Sequence, residues 1–145
     1  MKKANKTLLF RIVFSITAFA IGFFGVTYLL KDDLADKLQQ AATELNKQTP
    51  LEIDQYTRLD SASSIAKTNF IYHYTLKDLK KSEVNLKEVE NYIKPNVIEN
   101  VKNSPELKFY RDNNVTIDFK YYDVNGDFFT QISVTPELYN PKKLP

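Results

Sequence analysis

The sequence predicts an α+β fold. It reads as an N-terminal transmembrane helix continuing into an amphipathic helix, then a small antiparallel sheet in the order β-β-α-β-β with a proline-kinked helix between its halves. Three observations predict it. Ile12 to Leu30, IVFSITAFAIGFFGVTYLL, holds no charge. Leu34, Leu38, Ala41, Ala42 and Leu45 recur at steps of three and four. Two later stretches alternate apolar with polar residues on either side of a second helical pattern.

Nineteen helical residues at about 1.5 Å each cover roughly 28 Å, close to the roughly 30 Å of a bilayer's hydrocarbon core. Leu8, Leu9 and Phe10 extend the run beyond Arg11, whose stem lies along apolar surface while its guanidinium reaches the headgroups. The expected layout is a cytoplasmic basic tail over 1–7, a span over 8–30, an amphipathic extension over 31–48, a periplasmic domain over 49–139 and a flexible tail over 140–145. The competing reading is a secretory signal cut after Ala18-Phe19-Ala20, which would release a chain beginning Ile21-Gly22-Phe23-Phe24, an apolar start that disfavours it. With no cysteine, no lipoprotein signal, disulfide, thiol nucleophile or thiolate metal site is available.

Lys2, Lys3, Lys6 and Arg11 precede the span with no acid among them, whereas Lys31-Asp32-Asp33-Leu34-Ala35-Asp36-Lys37 mixes both signs. The positive-inside rule places the N-terminus in the cytoplasm, the anchor in the inner membrane, and the rest in the periplasm or outside the cell. All eighteen acids follow Leu30, as do sixteen of the twenty basic residues, so the exported part carries −2 although the chain carries +2. No basic stripe remains to neutralise phosphates, which argues against nucleic acid as a partner.

The apolar stripe of the amphipathic helix either docks on the protein's own sheet or pairs copies through Leu34, Leu38 and Leu45; barely two heptads favour the first. From Leu51 the pattern becomes a strand to Leu59, followed by a polar connection Asp60 to Ser64. Phe70, Tyr72, Tyr74 and Leu76 then form one face of a second strand, opposite Ile71, His73 and Thr75. Asn85 caps a helix with Glu88 at its third position, and Leu86, Val89, Ile93, Val97 and Val101 share a face; Pro95 is expected to kink or break it near Tyr92 to Lys94. Val115 to Tyr122 and Phe128 to Val134 alternate around Asn125-Gly126, a type I′ turn signal, and Pro136 ends the last strand.

No reaction is legible. Asp123-Val124-Asn125-Gly126-Asp127 starts like a calcium loop, but the template's sixth and twelfth positions hold Phe128 and Val134, so it reads as a plain turn. His73 is the sole histidine, without a Gly-x-Ser-x-Gly elbow, and three glycines cannot make a phosphate loop. No catalytic, cofactor or metal residue is assigned. The candidate partner-binding residues are Tyr56, Arg58, Asp60 and His73, where Arg58 at a strand end suits a partner's carboxylate or an internal pair with Asp60.

Asn46-Lys47-Gln48-Thr49-Pro50-Leu51-Glu52-Ile53-Asp54, Thr57-Arg58-Leu59-Asp60-Ser61 and Tyr72-His73-Tyr74-Thr75-Leu76 together resemble small bacterial membrane-anchored exported proteins with a Thr-Arg-Leu-Asp-Ser first strand. That resemblance implies a compact exported domain and brings no activity. In outline the chain is also similar to pilin-like proteins, although a Gly-Phe processing site and an early glutamate are missing. These readings point to a non-enzymatic single-pass protein whose periplasmic domain binds another protein, as an accessory subunit of an envelope complex. The alternative is an immunity or exclusion protein acting on a toxin or phage component; an envelope enzyme using Arg58, Asp60 or His73 is a third reading.

Overall fold

A computed structural model describes residues 33–143. The tail expected over 1–7 and the span over 8–30 lie outside them; among the described residues no helix is long and apolar enough to cross a membrane. Helix α1 (Leu34–Asn46) starts at Asp33, whose extended backbone (φ −78°, ψ 128°) and carboxylate, accepting the Ala35 N–H at 3.1 Å, form an N-cap. Among the described residues, the amphipathic extension expected over 31–48 is therefore helical only over Leu34–Asn46, with an extended residue at Asp33 where an uninterrupted helix was expected.

Leu38, Ala41, Ala42 and Leu45 are buried in the same core as the sheet, with Leu34 packed against it. The stripe expected as a possible pairing surface between copies is therefore spent on the protein's own β2. Burial decides the choice between the two sequence readings: Leu38 is 0% exposed and Leu45 6%.

Among the described residues the sheet has five strands in chain order: β1 (Leu51–Glu52), β2 (Thr57–Ile65), β3 (Asn69–Leu76), β4 (Thr116–Tyr122) and β5 (Phe128–Val134). The strand expected over Leu51 to Leu59 is two strands, because Asp54 turns the chain by accepting the N–H groups of Tyr56 and Thr57 (2.6 and 2.9 Å). Asp60 to Ser64, expected as a connection, is instead the interior of β2. The reversal to β3 falls at Ile65–Thr68, where Ala66 takes a positive φ of 44° and the Thr68 N–H reaches Ile65 C=O at 3.1 Å.

The sheet is mixed rather than antiparallel. β3 and β4 run parallel, Asn69 beside Thr116 through Thr75 beside Tyr122, while the other pairs are antiparallel. Parallel neighbours need a crossover, and helix α2 (Leu86–Asn103) with the short α3 (Lys108–Asp112) carries the chain back. The Asn85 side chain caps α2 by accepting from Glu88 N–H at 3.2 Å. Pro95 does not divide this helix: it and Asn91, whose carbonyl it cannot serve, are exposed residues, while Ile93 and Val97 remain buried in register. Arg111 donates to the carbonyls of Val101 and Ser104 (2.8 and 2.6 Å), satisfying the C-terminal end of α2.

The β4–β5 connection is not type I′. Only Gly126 has a positive φ (+81°) there, and the Gly126 N–H closes on Asp123 C=O at 3.0 Å, which is a type I turn followed by a left-handed glycine. Asp123 sets this geometry. Its buried carboxylate accepts from Lys81 N–H (3.0 Å), Asn125 N–H (2.9 Å) and Asp127 N–H (3.0 Å), and these bonds, Lys81's first, hold it below the usual carboxylate range. After β5, Pro136 opens the short helix α4 (Pro136–Tyr139), and the Tyr139 hydroxyl donates to Val115 C=O at 2.7 Å. Pro141–Lys143 forms one further helical turn of 3-10 type in the segment expected as a loose tail.

The core is aromatic. Tyr72 stacks on Phe119 at 5.5 Å, Tyr74 on Tyr121 at 5.6 Å, and Phe70 meets Tyr110 of α3 at 4.9 Å. Leu38→Ala should destabilise the protein by about 2–5 kcal/mol, the usual cost of emptying such a position. Chemical denaturation at two protein concentrations tenfold apart should return the same loss; a concentration-dependent loss would restore the pairing of copies through this stripe.

Candidate functional site

Alternation along each strand separates two faces. One meets the helices through Leu59, Tyr72, Tyr74, Phe119 and Ile132. The other presents Arg58 and Asp60 from β2, His73 and Thr75 from β3, Lys120 and Tyr122 from β4. The cross-strand registers Arg58–Thr75, Ser61–His73, His73–Lys120 and Thr75–Tyr122 fix their neighbours. An irregularity between Leu59 and Ser61 inserts Asp60 as an extra residue, turning its carboxylate toward Thr75.

Two hydrogen-bonded groups result. In the first, Arg58 Nε donates to Asp60 Oδ1 at 2.6 Å and Thr75 Oγ1 donates to Asp60 Oδ2 at 2.5 Å, with Arg58 Nη2 3.4 Å from the same hydroxyl. The Arg58 and Asp60 side chains keep 38% and 30% of their exposure, so the pair is screened and contributes only about 0.2–1 kcal/mol. Exposure also leaves the guanidinium within reach of a partner. The internal pair anticipated from the sequence is thus formed.

In the second group, Ser63 Oγ lies 3.0 Å from His73 Nε2 and the Tyr122 hydroxyl 3.4 Å from Nδ1, with the two rings stacked at 6.2 Å. Burial lowers the His73 pKa first, Lys120 lowers it further, and Asp60 opposes both. The imidazole is therefore neutral at neutral pH. Serine and histidine lie close, but the second imidazole nitrogen meets a phenol instead of a carboxylate, because Asp60 is engaged by Arg58 and Thr75. This is not the orienting acid a serine nucleophile requires. Phe128, 47% exposed, packs edge-on against Tyr122 at 6.0 Å and extends the face into an aromatic rim.

Of the four candidate residues, Arg58, Asp60 and His73 share this face. Tyr56 stands in the turn before β2, its carbonyl accepting from Lys77 N–H at 2.8 Å. Ser63, Thr75, Lys120 and Tyr122 complete the arrangement and escaped the sequence reading. Their signal is the register across β2, β3 and β4, which local alternation leaves unspecified.

A family described as a domain of unknown function, DUF8479, matches residues 33–127. The chain belongs to this family. The match begins at the N-cap of α1 and ends in the β4–β5 turn. No curated protein matches the chain.

Among solved structures, a Pseudomonas aeruginosa protein taken to be secreted superposes with a TM-score of 0.63 at 9% identity, over 74% of this chain and 93% of its own. Two others are similar in fold: AspS, the type II secretion system pilotin of Vibrio cholerae (TM-score 0.54, 12% identity, 72% and 91% covered), and EpsS, the type 2 secretion system pilotin of Vibrio vulnificus (0.55, 14%, 75% and 94%). At these identities the likeness establishes a common α+β fold.

The depressed His73 pKa fixes a sign. Because the folded protein favours the neutral ring, the unfolded chain binds more protons just below the ordinary value of 6.5, and the stability contributed by neutral His73 is lost as pH falls from there to the lower folded value. Denaturation midpoints at pH 7.5 and 5 should therefore differ more for the natural protein than for His73→Gln. Equal differences would remove the imidazole from this account.

Proposed function

We propose that the chain is a non-enzymatic accessory protein of an envelope assembly. In this reading residues 8–30 hold it at the inner membrane with the N-terminus in the cytoplasm, and the exported domain docks a protein partner through the face bearing Arg58, Asp60 and His73, with Tyr56 at its margin. The observation that carries the proposal is the fold shared with two type II secretion pilotins over 91% and 94% of their lengths.

The chemistry of the face is compatible with docking. A partly exposed arginine, two stacked rings and an exposed phenylalanine are residue types that anchor protein interfaces, and the hydrogen bonds to Asp60 and His73 hold them in place without a partner. Arg58 offers a planar donor set to a partner's carboxylate once its contact with Asp60 is shared.

Photo-crosslinking side chains placed in living cells at positions 58, 73 and 122, one at a time, test this reading. All three should give an adduct with the same envelope protein, recovered in the inner-membrane fraction, whereas positions 92 and 96 on the exposed side of α2 should not. Absence of adducts from the three sheet positions would sink the docking surface, and recovery of the protein in the outer membrane would contradict the anchor.

A further inference from the structure

Between α1 and the edge of β2 lies a groove of about 440 Å³, within the roughly 300–1,000 Å³ range of ligand clefts. β1 pairs only with Leu59 and Arg58, leaving the β2 edge from Asp60 to Ile65 without a described strand beside it. One rung of that edge is already read by an amide: Asn46 Nδ2 donates to Ala62 C=O at 2.8 Å, and Ala62 N–H donates to Asn46 Oδ1 at 2.7 Å. Asn46 thereby imitates a neighbouring strand for a single residue. Two residues further on, the N–H and C=O of Ser64 project the same way, into the groove.

We infer that this groove receives an extended, uncharged segment of another polypeptide, which adds to the sheet as a strand beside β2. The walls select that occupant. Ala35, Ala42 and Thr43 on α1 face Ala62 and Ser64 on β2, and the two longer side chains on the α1 wall, Gln39 and Asn46, are neutral amides. None of the lining residues is charged; a charged segment would lose water there with nothing to neutralise it, and an acyl chain would desolvate hydroxyls and amides without replacing their hydrogen bonds. A neutral backbone supplies the complementary N–H and C=O, with small side chains fitting between the walls. The groove meets the Arg58–His73 face only at Ser63, so the two surfaces operate separately.

The test is selection of random octapeptides displayed on phage against the full chain in detergent micelles. The best octapeptide is then synthesised and its binding and effect on amide exchange are measured. Saturation should slow exchange of the Ser64 amide at least tenfold while leaving the Ser63 amide, which faces β3, unchanged. Thr43→Trp, which fills the groove from an exposed position, should weaken binding at least tenfold; Gln39→Trp on the same wall replaces it should Thr43→Trp shift the unfolding midpoint. Arg58→Ala should leave peptide affinity intact even where it abolishes the crosslinks described above. Failure to enrich any octapeptide on the natural protein over the groove-filled variant overturns the inference. Protection of Ser64 that grows with protein concentration in the absence of peptide also overturns it, assigning the edge to a second copy.

Discussion

The structure depends on one arrangement above all: the aromatic side of β3, closed by α1 and α2. Phe70, Tyr72, Tyr74 and Leu76 point to one side of a central strand and are buried among Leu38, Leu45, Val89 and Val97. Turning these residues inward turns Ile71, His73 and Thr75 to the other side, because successive strand residues alternate. A one-residue slip of β3 would exchange core and site together. The candidate site is thus a consequence of the core and cannot be moved without dismantling it.

The parallel pairing of β3 with β4 has the second-largest effect. It sets Lys120 and Tyr122 beside His73 and Thr75, bringing the Tyr122 hydroxyl to the imidazole. It also obliges α2 to cross the sheet, which supplies Val89, Ile93, Val97 and Val101 to the core. The chain passes from α1 into a two-residue β1, and along the β2 edge beyond it Asn46 pairs with Ala62 alone. Two surfaces of different character follow, a charged and aromatic sheet face and an uncharged groove.

Strong local periodicity made much of this legible beforehand. The stripe of α1, the alternation of β3, β4 and β5, and the Asn85 cap of α2 all read directly from residue spacing. β2 is not legible locally, since Ser61, Ser63 and Ser64 give it no apolar alternation; what makes it a strand is pairing with β3 and contact with α1, neither of which is local. Parallel pairing was likewise invisible, since two hairpins joined by a helix look the same locally whichever way the helix returns. Pro95 signals a break locally, yet its cost depends on which side of the helix faces solvent, a matter of tertiary placement. The Arg58–Asp60 pair was accessible from a spacing of two, whereas the Ser63–His73 contact required the bulge at Asp60.

Helix α1 belongs to the folded domain and shares its core. Native-state hydrogen exchange on the full chain in micelles measures this directly. The amides of Leu38, Ala41, Ala42 and Leu45 should exchange only through the same global opening as those of Tyr72 and Tyr74, with matching free energies and denaturant dependence. Opening of α1 at a free energy several kcal/mol below that of β3 would contradict the account.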